Sequence, residues 1–287
     1  MKLTCVTAVW NAIAAGNREK LVRCAKSVAA LRTPHEHLFM DGASTDGTLE
    51  LLRELEGEIP GLKVLSSKDS GIYNALNKGL AVASGEWFYV LGCDDYLCAP
   101  AVMDGLLAED DPGTQVIIAP VEYDGDPAYS FHRMSDLKNL MFWGYGYCHQ
   151  GVLLKTDLAR QFGGFDERYR YCADGDLMLK IHLACAKFRY TFAPYANFAA
   201  GGANEQFREK VRAETIDFLG RNLGMTPAEA DRANRLEVPP LWLGRKFLFS
   251  RDVALRKSAR HIFRVRLGNL KHAIRVSLNP ILGEKMV

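Results

Sequence analysis

No run of this 287-residue sequence approaches the roughly 18 consecutive apolar residues that a membrane-crossing helix needs. Cysteine is sparse and unpatterned. The seven (Cys5, Cys24, Cys93, Cys98, Cys148, Cys172 and Cys185) are odd in number and include no C-x-x-C pair. That argues against a disulfide framework or a structural zinc site, and for reduced thiols in the cytoplasm. Glycine (25) and proline (11) are too few for a collagen-like or low-complexity chain, and no internal repeat is present. An excess of one charge is also missing, since the formal net is +2. The balance hides an asymmetry: residues 245–287 hold eleven Lys/Arg and two acids, so a +9 tail offsets a −7 body. With 48% hydrophobic and 24% charged residues, the chain suffices for one large domain or two sharing a core.

The first sixteen residues carry a lysine, an apolar stretch and an alanine-rich end, the outline of a leader peptide. Thr4, Thr7 and Asn11 interrupt that stretch, and Val6, Val9 and Trp10 suit a buried strand over Leu3–Trp10. Beyond it, Asn17 can cap a helix over Arg18–Leu31, where Leu21, Ala25, Val28 and Leu31 share one face. A strand at His37–Met40, a helix through Leu55, a strand at Lys63–Leu65, a helix opened by Asp69-Ser-Gly71 and a strand at Trp87–Leu91 follow. This alternation predicts an α/β fold with a largely parallel sheet flanked by helices. In such sheets ligands bind beyond the carboxyl ends of the strands. Asn11, Asp41–Asp46, Asp69 and Asp94–Asp95 all fall there. Residues 100–220 read as a mixed region, with strands near Gln115–Val121 and Gly151–Leu154 and a helix near Gly175–Ala184. Residues 221–287 read as a Pro-interrupted helical extension with the basic tail at its end.

Asp94 and Asp95 follow a buried strand directly, so both carboxylates sit at the rim of a rigid sheet. Adjacent acids repel. A divalent cation is one reason to place them together; a solvated turn, or a cap for a helix near Ala101, is the other.

The wider context carries more. Asp41-Gly-Ala-Ser-Thr-Asp-Gly-Thr48, Asp69-Ser-Gly-Ile-Tyr-Asn-Ala-Leu-Asn-Lys-Gly79, Ser84-Gly-Glu-Trp87 and Leu91-Gly-Cys-Asp-Asp95 occur in order. Cys148-His-Gln-Gly-Val152, Gly163-Gly-Phe-Asp-Glu167, Ala173-Asp-Gly-Asp176 and Gly201-Gly202 follow. The ordered set resembles the family 2 glycosyltransferases of GT-A fold, and more narrowly the bacterial enzymes that build exopolysaccharide or O-antigen units.

The resemblance implies a nucleotide-sugar, most often a UDP-sugar, bound across the first half of the sheet. Thr7, Val9 and Asn11 fall where the family contacts the base. Asp41 matches the acid that accepts a base N–H, and an Asx turn with Gly42 would use the same carboxylate. Ser44 and Asp46 suit turn and cap positions. Asp69 and Asn77 match polar positions on the nucleotide side, and Asp69 equally suits a helix cap. Asn74 departs from the family, which commonly has Asp there. Asp95 matches the principal metal ligand, with Asp94 as second ligand and nucleotide contact, for Mn2+ or Mg2+ on the diphosphate. Asp174 matches the general base, and a first-turn helix acid is its alternative reading. Asp176 has that alternative only. His149 and Gln150, expected to begin a strand facing the same cleft, suit hydrogen bonds to donor or acceptor sugar, with a structural histidine as the alternative; Trp143, Tyr145 and Tyr147, with glycines between them, suit a sugar-stacking platform or plain packing.

The implied reaction is inverting, metal-dependent transfer of a hexose to a hydroxyl of a glycan or polyprenyl-diphosphate-linked sugar in bacterial surface polysaccharide synthesis. Residues 1–99 would hold the nucleotide-sugar and 100–220 the acceptor. A sugar nucleotidyltransferase would want a glycine-rich basic loop that Asn11–Arg18 does not supply. An inactive sugar-nucleotide-binding protein predicts loss of Asp95 or Asp174, and both are present. No nucleic-acid recognition motif is visible. In the tail, Phe263, Leu267, Leu270, Ile274 and Leu278 recur at helical spacing beside Arg264, Arg266, Lys271 and Arg275. That pattern fits docking on the anionic inner face of the cytoplasmic membrane, or packing on the catalytic domain or a second subunit.

Overall fold

The apolar run at the N-terminus forms strand β1 (Leu3–Val9), buried at every residue but Ala8. The structure is a computed structural model that describes residues 1–109, 111–123, 148–184, 186–191, 193–199 and 206–234. Trp143, Tyr145, Tyr147, Gly201-Gly202 and the basic tail 245–287 lie outside the described residues. A strand covered on both faces needs no in–out alternation, which is why β1 reads as a continuous apolar segment. Next come α1 (Arg18–Ala29), β2 (His35–Asp41), α2 (Thr48–Glu58), β3 (Leu62–Ser66), α3 (Ile72–Val82) and β4 (Trp87–Val90). The expected order of elements holds, with ends moved by a few residues. The first strand stops at Val9, and Asn17 gives α1 no side-chain cap.

β3, β2, β1 and β4 stand parallel in that spatial order. The chain therefore winds from β1 out to β3 and returns on the other side at β4. The switch point lies between β1 and β4, where α/β sheets open a crevice. The second half supplies β5 (Tyr96–Leu97), α4 (Pro100–Ala108), β6 (Val116–Ile118), β7 (Val121–Tyr123), β8 (Val152–Lys155), α5 (Thr156–Gln161) and α6 (Ala173–Leu183). β9 (Phe188–Tyr190), β10 (Ala196–Phe198), α7 (Arg208–Leu223) and α8 (Pro227–Asn234) complete it. β8 is antiparallel to β4 and β6, and the seven-stranded order is β3-β2-β1-β4-β8-β6-β9. β5, β10 and β7 form a small second sheet. This is the α/β architecture, a largely parallel sheet flanked by helices, that the alternation of elements predicts.

One apolar cluster covers each face of the main sheet. Val6, Phe88 and Leu154 pack with α3, α5, α6 and α7, whereas Cys5, Phe39 and Tyr89 pack with α1, α2 and α4. Gly79 lets α3 seat closely on β1, because a Cβ there would stand 2.6 Å from Val6 Cγ1. Helix α7 runs across position 220, and Leu223, Met225 and Ala230 join the same core as Leu177. The described part of the C-terminal extension is thus continuous with the α/β body.

Glu36 fastens the strand starts on the side opposite the crevice. Only 2% exposed, it accepts from Thr4 Oγ1 at 2.8 Å, Ser84 N at 2.8 Å and Oγ at 2.6 Å, and Lys63 Nζ at 3.0 Å. Burial opposes its charge, yet these donors lower its pKa from 4.5 to about 2. An acid with a depressed folded pKa stabilises the fold above its unfolded pKa, and loses that as pH falls through the folded one. Glu36→Gln is therefore expected to cost roughly 3 kcal/mol at pH 7. Urea unfolding of both proteins should show the gap closing steadily below pH 4.5. A gap independent of pH would remove this role.

Candidate active site

After β4, the turn Leu91-Gly-Cys brings Asp94 and Asp95 back over the strand end, with Asp95 N donating to Gly92 O at 3.1 Å. Asp94 is half-buried and Asp95 is 2% exposed. Asp95 Oδ1 accepts from Ala199 N at 2.8 Å, delivered by β10, and Oδ2 accepts from Gln150 Nε2 at 2.6 Å. Burial raises the Asp95 pKa, and the neighbouring Asp94 charge adds to the rise. A Cβ on Gly92 would stand 2.5 Å from Asp95 Oδ2 and 3.1 Å from Asp94 Oδ1, so the glycine keeps open a cradle between the carboxylates. Two adjacent hard oxygen donors fit a divalent cation. Among the described residues no group of three or more metal-binding side chains assembles.

Asp174 lies in the first turn of α6 with its side chain 28% exposed, and His149, 33% exposed, puts Nδ1 3.5 Å from Asp174 Oδ2. Tyr73, from the first turn of α3, donates its hydroxyl to Asp174 Oδ1 at 3.0 Å. Burial disfavours the Asp174 charge, but His149, the Gly175 N–H and the Tyr73 hydroxyl outweigh it and hold the carboxyl below its ordinary range. Burial likewise opposes the imidazolium, yet Asp174, Asp95 and Asp94 raise the His149 pKa. Asp176 does something else. It is 1% exposed, paired with Lys180 Nζ at 2.6 Å and bonded by Asn222 Nδ2 at 2.7 Å, so it ties α6 to α7.

His149 and Gln150 occupy a 3-10 turn, His149–Gly151, rather than the start of a strand. Gln150 is 2% exposed and donates to Asp95. His149 stays open to the crevice.

On the nucleotide side, the expected residues separate into two groups. Asn11 adopts φ 47°, the left-handed region that Asn tolerates. It binds the 41–48 loop twice, through its N–H to Ser44 Oγ at 2.8 Å and its Oδ1 from Thr45 N at 2.9 Å. Asp41 is 1% exposed, accepting from Ser66 Oγ at 2.6 Å and Ser44 N at 3.2 Å, so the turn reading describes its present bonds. Asp69 accepts from Gly71 N at 3.1 Å as α3 begins. Thr7 and Val9 are enclosed by the fold. Thr7 is fully buried with its hydroxyl 2.9 Å from His37 Nε2, and Val9 is packed in the core against α1. Asn77 holds a loop in place. It exchanges hydrogen bonds with Phe165 (Nδ2 to O and N to Oδ1, both 2.8 Å), latching the 163–167 loop to α3. Asn74 donates to both Glu167 oxygens at 3.0 and 3.2 Å, where a second acid would repel. Tyr73 went unread: it sits inside a quoted motif, but its partner is 101 positions away. Trp10, expected in the buried first strand, is instead 68% exposed just past the end of β1, with its ring edge close to Gly42 beside Asp69.

The sequence model described as Glycosyl transferase family 2 matches residues 4–167. A Mycobacterium bovis protein named PGL/p-HBAD biosynthesis glycosyltransferase is 28% identical over 153 residues, covering 50% of this chain and 57% of its own length. The chain thus spans little over half of that relative. The chondroitin synthase of Pasteurella multocida is 23% identical over 221 residues, which is 75% of this chain and 23% of that one. Among solved structures, S. aureus TarS 1-349 in complex with UDP-GlcNAc aligns at TM-score 0.58 and 20% identity, covering 88% of this chain and 74% of that chain. A Pyrobaculum calidifontis mannosyltransferase in complex with GDP-Man and Mn2+ aligns at TM-score 0.62 and 15% identity, covering 94% and 87%. At these identities the solved structures speak for the fold.

Proposed function

The chain belongs to glycosyl transferase family 2, and from that premise we propose that it transfers a hexose, with inversion, from a UDP-sugar to a hydroxyl of a glycan or lipid-linked sugar. The observation that carries this reading is one turn touching both acids: His149 Nδ1 lies 3.5 Å from Asp174 Oδ2, while the next residue, Gln150, donates to Asp95 at 2.6 Å. The proposed base and the proposed metal-holding pair thus flank one crevice at the switch point of the sheet.

The acceptor oxygen bonds to the anomeric carbon as the bond from that carbon to the diphosphate oxygen breaks. The acceptor proton passes to Asp174, and the electron pair of the broken bond leaves on the nucleoside diphosphate. Tyr73 and His149 keep Asp174 ionised and fix its orientation, so it can take a proton at neutral pH. Asp94 and Asp95 would hold Mn2+ or Mg2+, which when bound supplies positive charge against the departing diphosphate. No protein nucleophile takes part. Trp10 offers a stacking face to the base, and Asp41 has lone pairs left to accept a base N–H. Among the described residues no helix is long and apolar enough to cross a membrane. A role for residues 245–287 at an anionic membrane surface rests on their sequence.

A thermal-stabilisation and hydrolysis screen of UDP-, GDP- and dTDP-sugars with Mn2+ tests the reading. UDP-sugars are expected to raise Tm and to be the ones consumed. Trp10→Ala should weaken UDP binding by about ten-fold, the size of one lost stacking contact. Preference for GDP-sugars would correct the nucleotide, and no response to any of the three would sink the transferase reading.

A further inference from the structure

Residues 170–172 lead directly into the first turn of α6, where Asp174 stands. Their three successive N–H groups converge on one carboxylate from another helix. Glu214, half-buried on α7, accepts from Arg170 N and Tyr171 N at 2.8 Å each and from Cys172 N at 3.0 Å. Successive N–H groups share an anionic acceptor only where the backbone curls around it. The clasp therefore dictates the path of the chain just before Asp174. A first turn needs such help. The first helical bond of α6 runs from Asp176 N to Cys172 O at 3.1 Å, so the N–H groups of 173–175 have no acceptor within the helix.

The same helix grips the chain on the far side of Asp174. A Cβ on Gly175 would stand 3.3 Å from Phe218 Cζ, so α7 packs on α6 at that glycine. Asp176 accepts from Asn222 Nδ2 at 2.7 Å. On the near side, the Cys172 thiol also donates to Val211 O at 3.4 Å. Helix α7 thus holds 170–172 and 175–176, while the carboxylate between them meets Tyr73 and His149. Misplacing a reacting group by about 1 Å can cost on the order of a hundred-fold in rate. We infer that Glu214 is a positioning residue: by clasping the N–H groups of 170–172 it sets the start of α6 so that Asp174 faces the crevice. This rests on Asp174 being the base of the proposed transfer. Both residues lie beyond the stretch 4–167 that the family model matches.

The test compares Glu214→Ala, Glu214→Gln and Arg212→Ala in the full chain. Arg212 pairs with Asp231 at 2.7 Å, tying α7 to α8 away from 170–172, and serves as the stability control. Turnover is read as UDP release from UDP-glucose, UDP-galactose or UDP-N-acetylglucosamine with Mn2+, water being the acceptor, and donor binding by calorimetry. Glu214→Ala is expected to lower kcat at least ten-fold while the donor Kd changes less than two-fold. Glu214→Gln keeps one acceptor oxygen and should lie at least three-fold below wild type and three-fold above Glu214→Ala. Arg212→Ala should lower Tm and keep kcat within two-fold. A reading free of activity comes from the His149 13Cε1 resonance in metal-free protein, assigned by its loss in His149→Gln. Asp174, together with Asp95 and Asp94, raises the His149 pKa. Its titration midpoint should therefore fall in Glu214→Ala, as in Asp174→Asn, and stay in place in Arg212→Ala. An unmoved midpoint, or a kcat loss that Arg212→Ala matches at equal Tm, would overturn the assignment. If Glu214→Ala does not fold, Glu214→Gln carries both readings. UDP release equal in wild type and the Glu214 variants refutes the positioning alone. No UDP release by wild type refutes the transferase reading, and the His149 midpoint still decides whether Glu214 places Asp174.

Discussion

Asp174→Asn is expected to lower transfer about a thousand-fold, the middle of the range for a lost general base, while UDP-sugar binding changes less than two-fold. The amide keeps the size of the side chain and can still accept from the Tyr73 hydroxyl, so the fold has little reason to change. What it cannot do is take the acceptor proton. Titration calorimetry with the donor, beside a transfer assay, separates the two effects. Near-normal turnover would place the base elsewhere. Asp176 is then a poor substitute, since it is 1% exposed and its carboxylate is paired with Lys180 and bonded by Asn222. The pH profile adds a check with a definite sign. Tyr73 helps hold the Asp174 pKa down, so Tyr73→Phe should move the acid limb of kcat to higher pH. Acid loss at the same pH in both proteins would mean that another group sets that limb.

Asp95→Ala is expected to remove at least about a hundred-fold of the activity and to destabilise the fold as well. The two losses have different causes. Activity would fall because one of the two oxygen ligands proposed for the metal disappears, and with the metal the positive charge that would offset the leaving diphosphate. Stability falls because the Gln150 amide and the Ala199 N–H, buried and bonded to Asp95 at 2.6 and 2.8 Å, lose their acceptor. A stranded buried donor costs about 1–3 kcal/mol. Asp95→Asn separates the contributions, because its carbonyl can still accept one of these bonds while its charge is gone. Asp94→Ala, at a half-buried site, should affect activity more than stability. Chelator with wild-type protein completes the set. Full turnover in excess chelator, or undiminished activity of Asp95→Asn, would show that no metal is needed.

The sequence by itself determined the first half of the fold and where its acids stand along the chain. Helices such as α1 and α3 are legible because burial repeats about every 3.6 residues, and β1 because a short apolar run marks a strand covered on both faces. Asp94-Asp95 and Asp174 stand at element ends, inside contiguous motifs whose order along the chain carries the information. What each acid can reach was decided only by tertiary structure. Asp174 and Asp176 lie two positions apart on α6, which turns their side chains roughly 200° from each other. Nothing local says which faces the crevice. The packing of α7 does, by covering Asp176 with Asn222 and leaving Asp174 to Tyr73 and His149. Likewise Thr7, Gln150 and Asn77 carry the right chemistry for ligands in the sequence. The fold commits them to His37, Asp95 and Phe165. These partners are 30, 55 and 88 positions away, a distance over which only the closing of the sheet and its helices determines who meets whom.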